Sequence, residues 1–305
     1  MKLRVYNHNK YRFSNESGKI VETYNTDKKK IIIIKKENTH KVYKIYLRGN
    51  KQLEYKNEIK GYRYFKKIKL FKIPKLYNHL NSKNISYIEL EYIKGEKVDF
   101  FDYKKVFKKK IRLTKTISDM RYINNISVFY EHKKNKKLII IENHIKDYLK
   151  KKNFRLNSQL SLTHGDLAHY NCLKKDNNFY VFDFEKFRER IFLFDHLNWQ
   201  YHSIISNIGS ILISNKFIFK NNFLAKVILK YIKFLIYFKL QKILVNYKID
   251  KKEFTKVYLF YLFEKQSILL FDLKFVKSIR NKILTRKLIM MIQKNIYFIL
   301  NNEKF

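Results

Sequence analysis

The chain has 305 residues, 46% hydrophobic and 17% aromatic, enough to bury a substantial core, and 67 basic residues against 26 acidic ones give a formal charge of +41. A single cysteine, Cys172, excludes an internal disulfide framework and any zinc site built from several cysteines. Residues Met1 to His8 lack the apolar centre of a leader, and the greasiest stretch, Phe223 to Val245, is interrupted by Lys226, Lys230, Lys233, Lys239 and Lys242, too many charges for a bilayer span of about 20 apolar residues, so a cytoplasmic location is expected.

In chain order, the polar segment Asn25 to Lys30 leads into Ile31 to Ile34, and Val42 to Leu47 follows a second polar turn, which predicts two strands rich in β-branched and aromatic residues. Lys44 lies inside the second. Leu53 to Phe65 carries apolar residues at helical spacing, with Glu58 central and Glu54 one turn earlier. After the only proline, Pro74, the run Ile85 to Ile93 reads as a strand that stops at Lys94-Gly95, dividing the chain into 1–93 and 94–305. Helical spacing recurs over Ile111 to Val128 and Leu138 to Leu149. Cys172-Leu173-Lys174 and Phe179 to Phe182 flank the turn-forming Asp176-Asn177-Asn178 and predict a hairpin. Helices are expected again over Phe254 to Leu270 and Ile279 to Leu300, and Phe223 to Val245 reads as an amphipathic helix.

The chemistry concentrates in Thr163-His164-Gly165-Asp166-Leu167-Ala168-His169-Tyr170-Asn171 and, beyond the hairpin, Val181-Phe182-Asp183-Phe184-Glu185. Phosphoryl transfer from a nucleotide needs a carboxylate to orient the attacking hydroxyl and accept its proton, together with cations on the phosphates. Asp166 suits the first role. Asn171 and Asp183 offer the oxygen ligands that magnesium favours, and a hairpin beginning after Asn171 and ending before Asp183 folds the second motif back beside the first. Glu185 reads either as an auxiliary metal or water contact or as a solvated loop charge.

His-Gly-Asp, four residues, Asn, a short hairpin and Asp-Phe-Glu resemble the signature of the aminoglycoside phosphotransferase and choline kinase group of the protein-kinase-like superfamily. The resemblance implies an α+β fold of two lobes: a small antiparallel-sheet lobe with one helix over 1–93, and a larger, mostly helical lobe over 94–305. It implies an enzyme that uses ATP, or another nucleoside triphosphate, with Mg²⁺, and names Asp166 as the catalytic base and Asn171 and Asp183 as metal ligands. By the same resemblance, His164 and Asp195 support the catalytic loop, Lys44 contacts the phosphates and pairs with Glu58 (Glu54 being the alternative), and the backbone from Glu91 through Tyr92 to Ile93 binds the adenine.

The chain departs from kinases in one place: the candidate phosphate-covering loop, Asn25 to Lys30, has no glycine, and its lysines would have to bind phosphate by charge. That departure keeps open a scaffold with the fold but no turnover. The charge alone would suggest a nucleic-acid-binding protein. Yet Lys, Asn, Ile, Tyr and Phe, all with A- and T-rich codons, are abundant, while alanine occurs only at Ala168 and Ala225, so a biased genome accounts for the basic excess without a specific nucleic-acid partner. A basic surface still leaves room for anionic substrates and for peripheral contact with an anionic membrane. Acidic residues are scarce in the last hundred positions, which favours a small molecule or envelope saccharide bearing a neutral or anionic hydroxyl over a polycation.

Overall fold

The computed structural model describes residues 3–6, 10–13, 19–25, 29–36, 39–46, 51–82, 86–107, 112–152, 154, 157–214, 222–273 and 279–301. In chain order the strands are β1 Leu3–Tyr6, β2 Lys10–Phe13, β3 Lys19–Asn25, β4 Lys29–Lys36, β5 Thr39–Tyr46, β6 Leu76–Asn81, β7 Ser86–Glu91, β8 Glu96–Lys97, β9 Leu113–Ser118, β10 Asn157–Thr163, β11 Cys172–Lys175, β12 Asn178–Val181 and β13 Arg188–Ile191. The α-helices are α1 Lys51–Ile68, α2 Tyr103–Val106, α3 Asp119–Phe129, α4 Lys136–Lys151, α5 Phe194–Ser214, α6 Asn222–Asn246, α7 Lys251–Leu273 and α8 Ile279–Asn301. Packing groups them into two compact units, Met1–Lys108 with Tyr170–Phe187, and Lys109–His169 with Arg188–Phe305. The first unit therefore takes in residues 94–108 and the hairpin as well as the sheet; the boundary at 93/94 remains a proposal about the hinge.

The first unit is built on an antiparallel sheet in the order β3-β4-β5-β7-β6. Alternation along β4 and β5 sends Ile32, Ile34, Tyr43 and Ile45 to one face, where they form a core with Tyr87. The register pairs Ile31 with Lys44 and Lys29 with Tyr46, so Lys29, Lys44 and Tyr46 share the opposite face. The hairpin β11–β12 turns on Asp176 and Asn177, both at positive φ (47° and 57°), the backbone of a two-residue turn that Asp and Asn tolerate better than other non-glycine residues. Asn178, expected in the turn, instead opens β12 opposite Lys175. Strand β8 joins this hairpin through Leu173 and Lys174, and Gly95 is required there, because a Cβ would sit 2.7 Å from the Lys174 carbonyl oxygen.

The second unit holds a three-stranded sheet in the order β13-β10-β9 and the remaining long helices. The helix expected over Ile111 to Val128 is half strand. Leu113 to Ser118, with β-branched Thr114, Thr116 and Ile117, pairs with β10, and the helix begins only at Asp119, where the Ser118 hydroxyl accepts from the Arg121 amide as an N-cap. Ile111 lies outside the described residues. Helix α6 buries Leu229, Ile232, Ile236, Leu240 and Leu244 along one stripe, as its period requires, but Lys233 is not on the solvent face: its Nζ donates to Thr255 Oγ1 at 2.8 Å. Helix α7 is buried on every side from Phe254 to Ile268, with Lys256, Glu264 and Lys265 inside. The lysine runs at Lys133-Lys134 and Lys136-Lys137 are exposed, while Lys108 to Lys110 lie outside the described residues. No helix among the described residues is long and apolar enough to cross a membrane.

Candidate active site

In the first unit the strand–helix arrangement gathers charge on the Lys44 face of the sheet. Lys44 Nζ lies 2.5 Å from Glu58 Oε1 on α1 and 2.8 Å from Asp183 Oδ1 after β12. The Tyr46 hydroxyl also donates to Glu58, which is fully buried. A second ammonium, Lys29 at the start of β4, lies 2.6 Å from the same Asp183 oxygen and 2.5 Å from Glu185 Oε1. Burial works against both lysine charges, but the carboxylates overcome it and hold Lys29 and Lys44 above their ordinary range. Asp183 responds in the opposite sense: burial pushes it up, and Lys29 and Lys44 outweigh that and keep it ionised far below the usual carboxylate range. Glu185 is pushed up to about 7 by burial and by the neighbouring Asp183 charge, against the pull of Lys29.

Two local features hold this cluster in register. Asp183 adopts φ 71° and ψ 57°, a left-handed conformation that a non-glycine residue rarely takes, and so turns the chain sharply after β12. Phe184 then packs into α1, edge-on to Tyr62 and stacked on Phe65. The contact depends on Gly61, where a Cβ would lie 2.5 Å from the Phe184 Cβ. The helix that carries Glu58 is thereby wedged to the residue following Asp183. Asn171 is buried at the head of the hairpin, and its carbonyl accepts the Phe182 amide at 3.2 Å. At the expected hinge, the Glu91 amide already donates to the Lys75 carbonyl at 2.8 Å, and the Glu91 side chain accepts the Lys75 amide. A nucleotide contact at Glu91 would therefore be to its carbonyl, not to the N–H.

Glu58, Asp183 and Glu185 place one carboxylate oxygen each within 4.8 Å of one another. An all-oxygen donor set of this kind suits a hard divalent ion. The residues fit magnesium, with Asp183 and Glu185 the better placed because Glu58 already answers Lys44 and Tyr46.

In the second unit the Asp166 loop is fixed mainly through its backbone. The buried Asp195 carboxylate, at the start of α5, accepts the amides of His164 at 2.7 Å and Gly165 at 2.9 Å. Gly165 has φ 83°, and His164 Nδ1 accepts the Asp166 amide at 3.2 Å. Asn198, one turn along α5, donates to the Leu167 carbonyl at 3.1 Å. Asp166 itself is a quarter exposed, and Lys265 Nζ on α7 lies 3.4 Å from its Oδ1 and 2.8 Å from Asn198 Oδ1. The preceding residue, Glu264, points the other way and receives Arg188, Arg190 and the Tyr122 hydroxyl.

Sequence reasoning named Lys44, Glu58 and Asp183, which the structure brings together, and His164, Asp166 and Asp195, which it also brings together. It missed Lys29 and Lys265. Lys29 was legible in principle, since it has the same strand parity as Ile31 and hence faces the Lys44 side; its place in a lysine-rich turn concealed that. Lys265 sits in a helix buried all round, where periodicity carries no directional signal.

No family model matches the chain, and no curated protein matches it in sequence. Solved structures do match. A protein assigned as a fructosamine-3-kinase from Haemophilus somnus 129PT superposes with a TM-score of 0.53 at 17% identity, covering 90% of this chain and 92% of that one. An ethanolamine kinase of Plasmodium vivax gives 0.55 at 12%, covering 91% and 81%. A thermostable mutant of an aminoglycoside phosphotransferase in its apo form gives 0.52 at 9%, covering 91% and 94%. At these identities the likeness carries the fold and not the reaction: the chain has the α+β, kinase-like fold shared by these three structures.

Proposed function

We propose that this chain is an ATP- and Mg²⁺-dependent phosphotransferase acting on the hydroxyl of a small molecule or cell-envelope saccharide. The observation that carries the reading is Asp183, held ionised at a left-handed turn and shared with the Lys44–Glu58 pair, which is the strand-lysine, helix-glutamate and metal-aspartate set on which kinase chemistry rests. In this reading Asn171 and Asp183 hold the cation, with Glu185 beside them, and the bound cation would neutralise charge on the phosphates. Lys44 binds phosphate oxygens and Glu58 fixes its ammonium. The carbonyl of Glu91 and the backbone of Tyr92 and Ile93 receive the adenine. Asp166 orients the acceptor hydroxyl and takes its proton, while His164 and Asp195 keep the loop that carries it in place.

The acceptor is inferred to be neutral or anionic. Lys265 puts a buried ammonium beside Asp166, where an amino alcohol would meet like charge. A thermal-shift titration tests the nucleotide half of the reading: ATP with Mg²⁺ should raise the melting temperature of the full chain, and Asp183→Ala should remove the magnesium-dependent part. Absence of any shift in the wild type would replace the enzyme by a scaffold that keeps the fold.

A further inference from the structure

Lys29 stands outside the set of residues that the proposed chemistry uses, yet it is as buried as that set and makes two of its ion pairs. Its side chain is 8% exposed, and its single ammonium reaches both Asp183 Oδ1 and Glu185 Oε1. It opens β4 on the same face as Lys44, directly after residues 26–28, which lie outside the described residues, and both lysines converge on one oxygen of Asp183. Burying an ammonium is costly unless it is paired, and here the pairing partners are two carboxylates that also suit a divalent cation. An ammonium and a cation cannot both bridge those two oxygens.

We propose that Lys29 and a divalent cation compete for Asp183 and Glu185, and that Lys29, displaced by the cation, becomes a second phosphate anchor in place of the backbone amides of a glycine-rich loop. The inference rests on the nucleotide reading above and adds to it an exchange of partners. In the resting chain Lys29 neutralises the carboxylates and holds them together. When the metal and nucleotide arrive together, the cation takes the carboxylates and the released ammonium meets the triphosphate, whose charge replaces the one it lost. Metal and nucleotide then favour one another's binding, because each relieves the cost of the other.

The signature is a pair of changes of opposite sign. Calorimetric titration of the full chain with Mn²⁺ alone, and separately with ATP at saturating Mn²⁺, is compared for the wild type, Lys29→Met and Lys29→Gln. Loss of a charged hydrogen-bonding partner is expected to change each affinity about 10-fold: tighter Mn²⁺ binding, because the competitor is gone, and weaker ATP binding at saturating Mn²⁺, because the anchor is gone. Lys29→Arg should restore ATP binding. Unchanged affinities, or two affinities that fall together as they would for a residue that merely holds the fold, overturn the proposal. A wild-type chain that binds Mn²⁺ but no ATP fails the nucleotide reading itself and removes the phosphate-anchor half with it.

Discussion

The Asp183 cluster in the first unit and the Asp166 loop in the second are held by different forces. Around Asp183, three carboxylates and two ammonium groups crowd one face of a sheet, and nearly every contact is an ion pair. Around Asp166 the restraints are backbone amides pointing at one buried carboxylate and a side-chain amide gripping a carbonyl. Ion pairs can change partners when a charged ligand enters, at little net cost. Amide donors tied to Asp195 cannot be re-used in that way, so they fix a position rather than allow an exchange. In the proposed reading, this chain places mobile charge where phosphates and a cation would arrive, and directional hydrogen bonds where a proton acceptor would be aimed.

The comparison can be broken most decisively at Asp166. Asp166→Asn is expected to slow phosphoryl transfer by about 10² to 10⁴, the range for a general base, with the melting temperature unchanged; turnover near the wild-type rate removes Asp166 from the mechanism. Next comes Asp195→Ala, which strands two buried amide donors and should cost about 2 to 5 kcal/mol in urea unfolding. A loss below about 0.5 kcal/mol would show that the loop is held some other way.

A pH series sharpens the contrast further. His196, beside Asp195 on α5, is pushed down to about 3 by burial, so it is neutral in the folded chain and takes up a proton on unfolding below about 6.5. The unfolded state then binds more protons, and stability falls as pH falls. The His196 contribution to that loss is about 2 kcal/mol between pH 7 and pH 5, and His196→Gln should flatten the slope; an unchanged slope places the acid sensitivity elsewhere. The smallest effect is expected at Gly61. Helix propensity alone favours Gly61→Ala by about 1 kcal/mol, but the new Cβ would meet Phe184 at 2.5 Å, and overpacking costs about 1 to 3 kcal/mol. The net result should be destabilising by about 1 kcal/mol, accompanied by weaker ATP binding; a stabilised variant would show that Phe184 is not wedged.

Much of this arrangement was legible in the residues, and the reasons are local. Asn171 and Asp183 are separated by a hairpin whose turn residues announce it, so motif spacing translated directly into backbone. Glu58 was readable because α1 is amphipathic and the glutamate falls on its sheet side. Leu113 to Ser118 was not, because a short run with mixed spacing satisfies both the helical and the strand period, and only pairing with β10 decides between them. Lys29 and Lys265 escaped for a common reason: in a chain with 67 basic residues, a buried lysine has no compositional contrast against the exposed ones. Strand parity with Ile31 is the one sequence signal for Lys29; Lys265 is distinguished by tertiary contact alone.

Glu264 and Lys265 are neighbours in the middle of α7, and their opposite charges leave the helix about 100° apart, one toward Arg188 and Arg190 and the other toward Asp166. With the start of the helix fixed, deleting a single upstream residue would swing the ammonium toward the guanidinium pair, whereas inserting one would swing the carboxylate toward Asp166. Either change would set like charges face to face, so this region depends on the phase of the helix as much as on the side chains it carries.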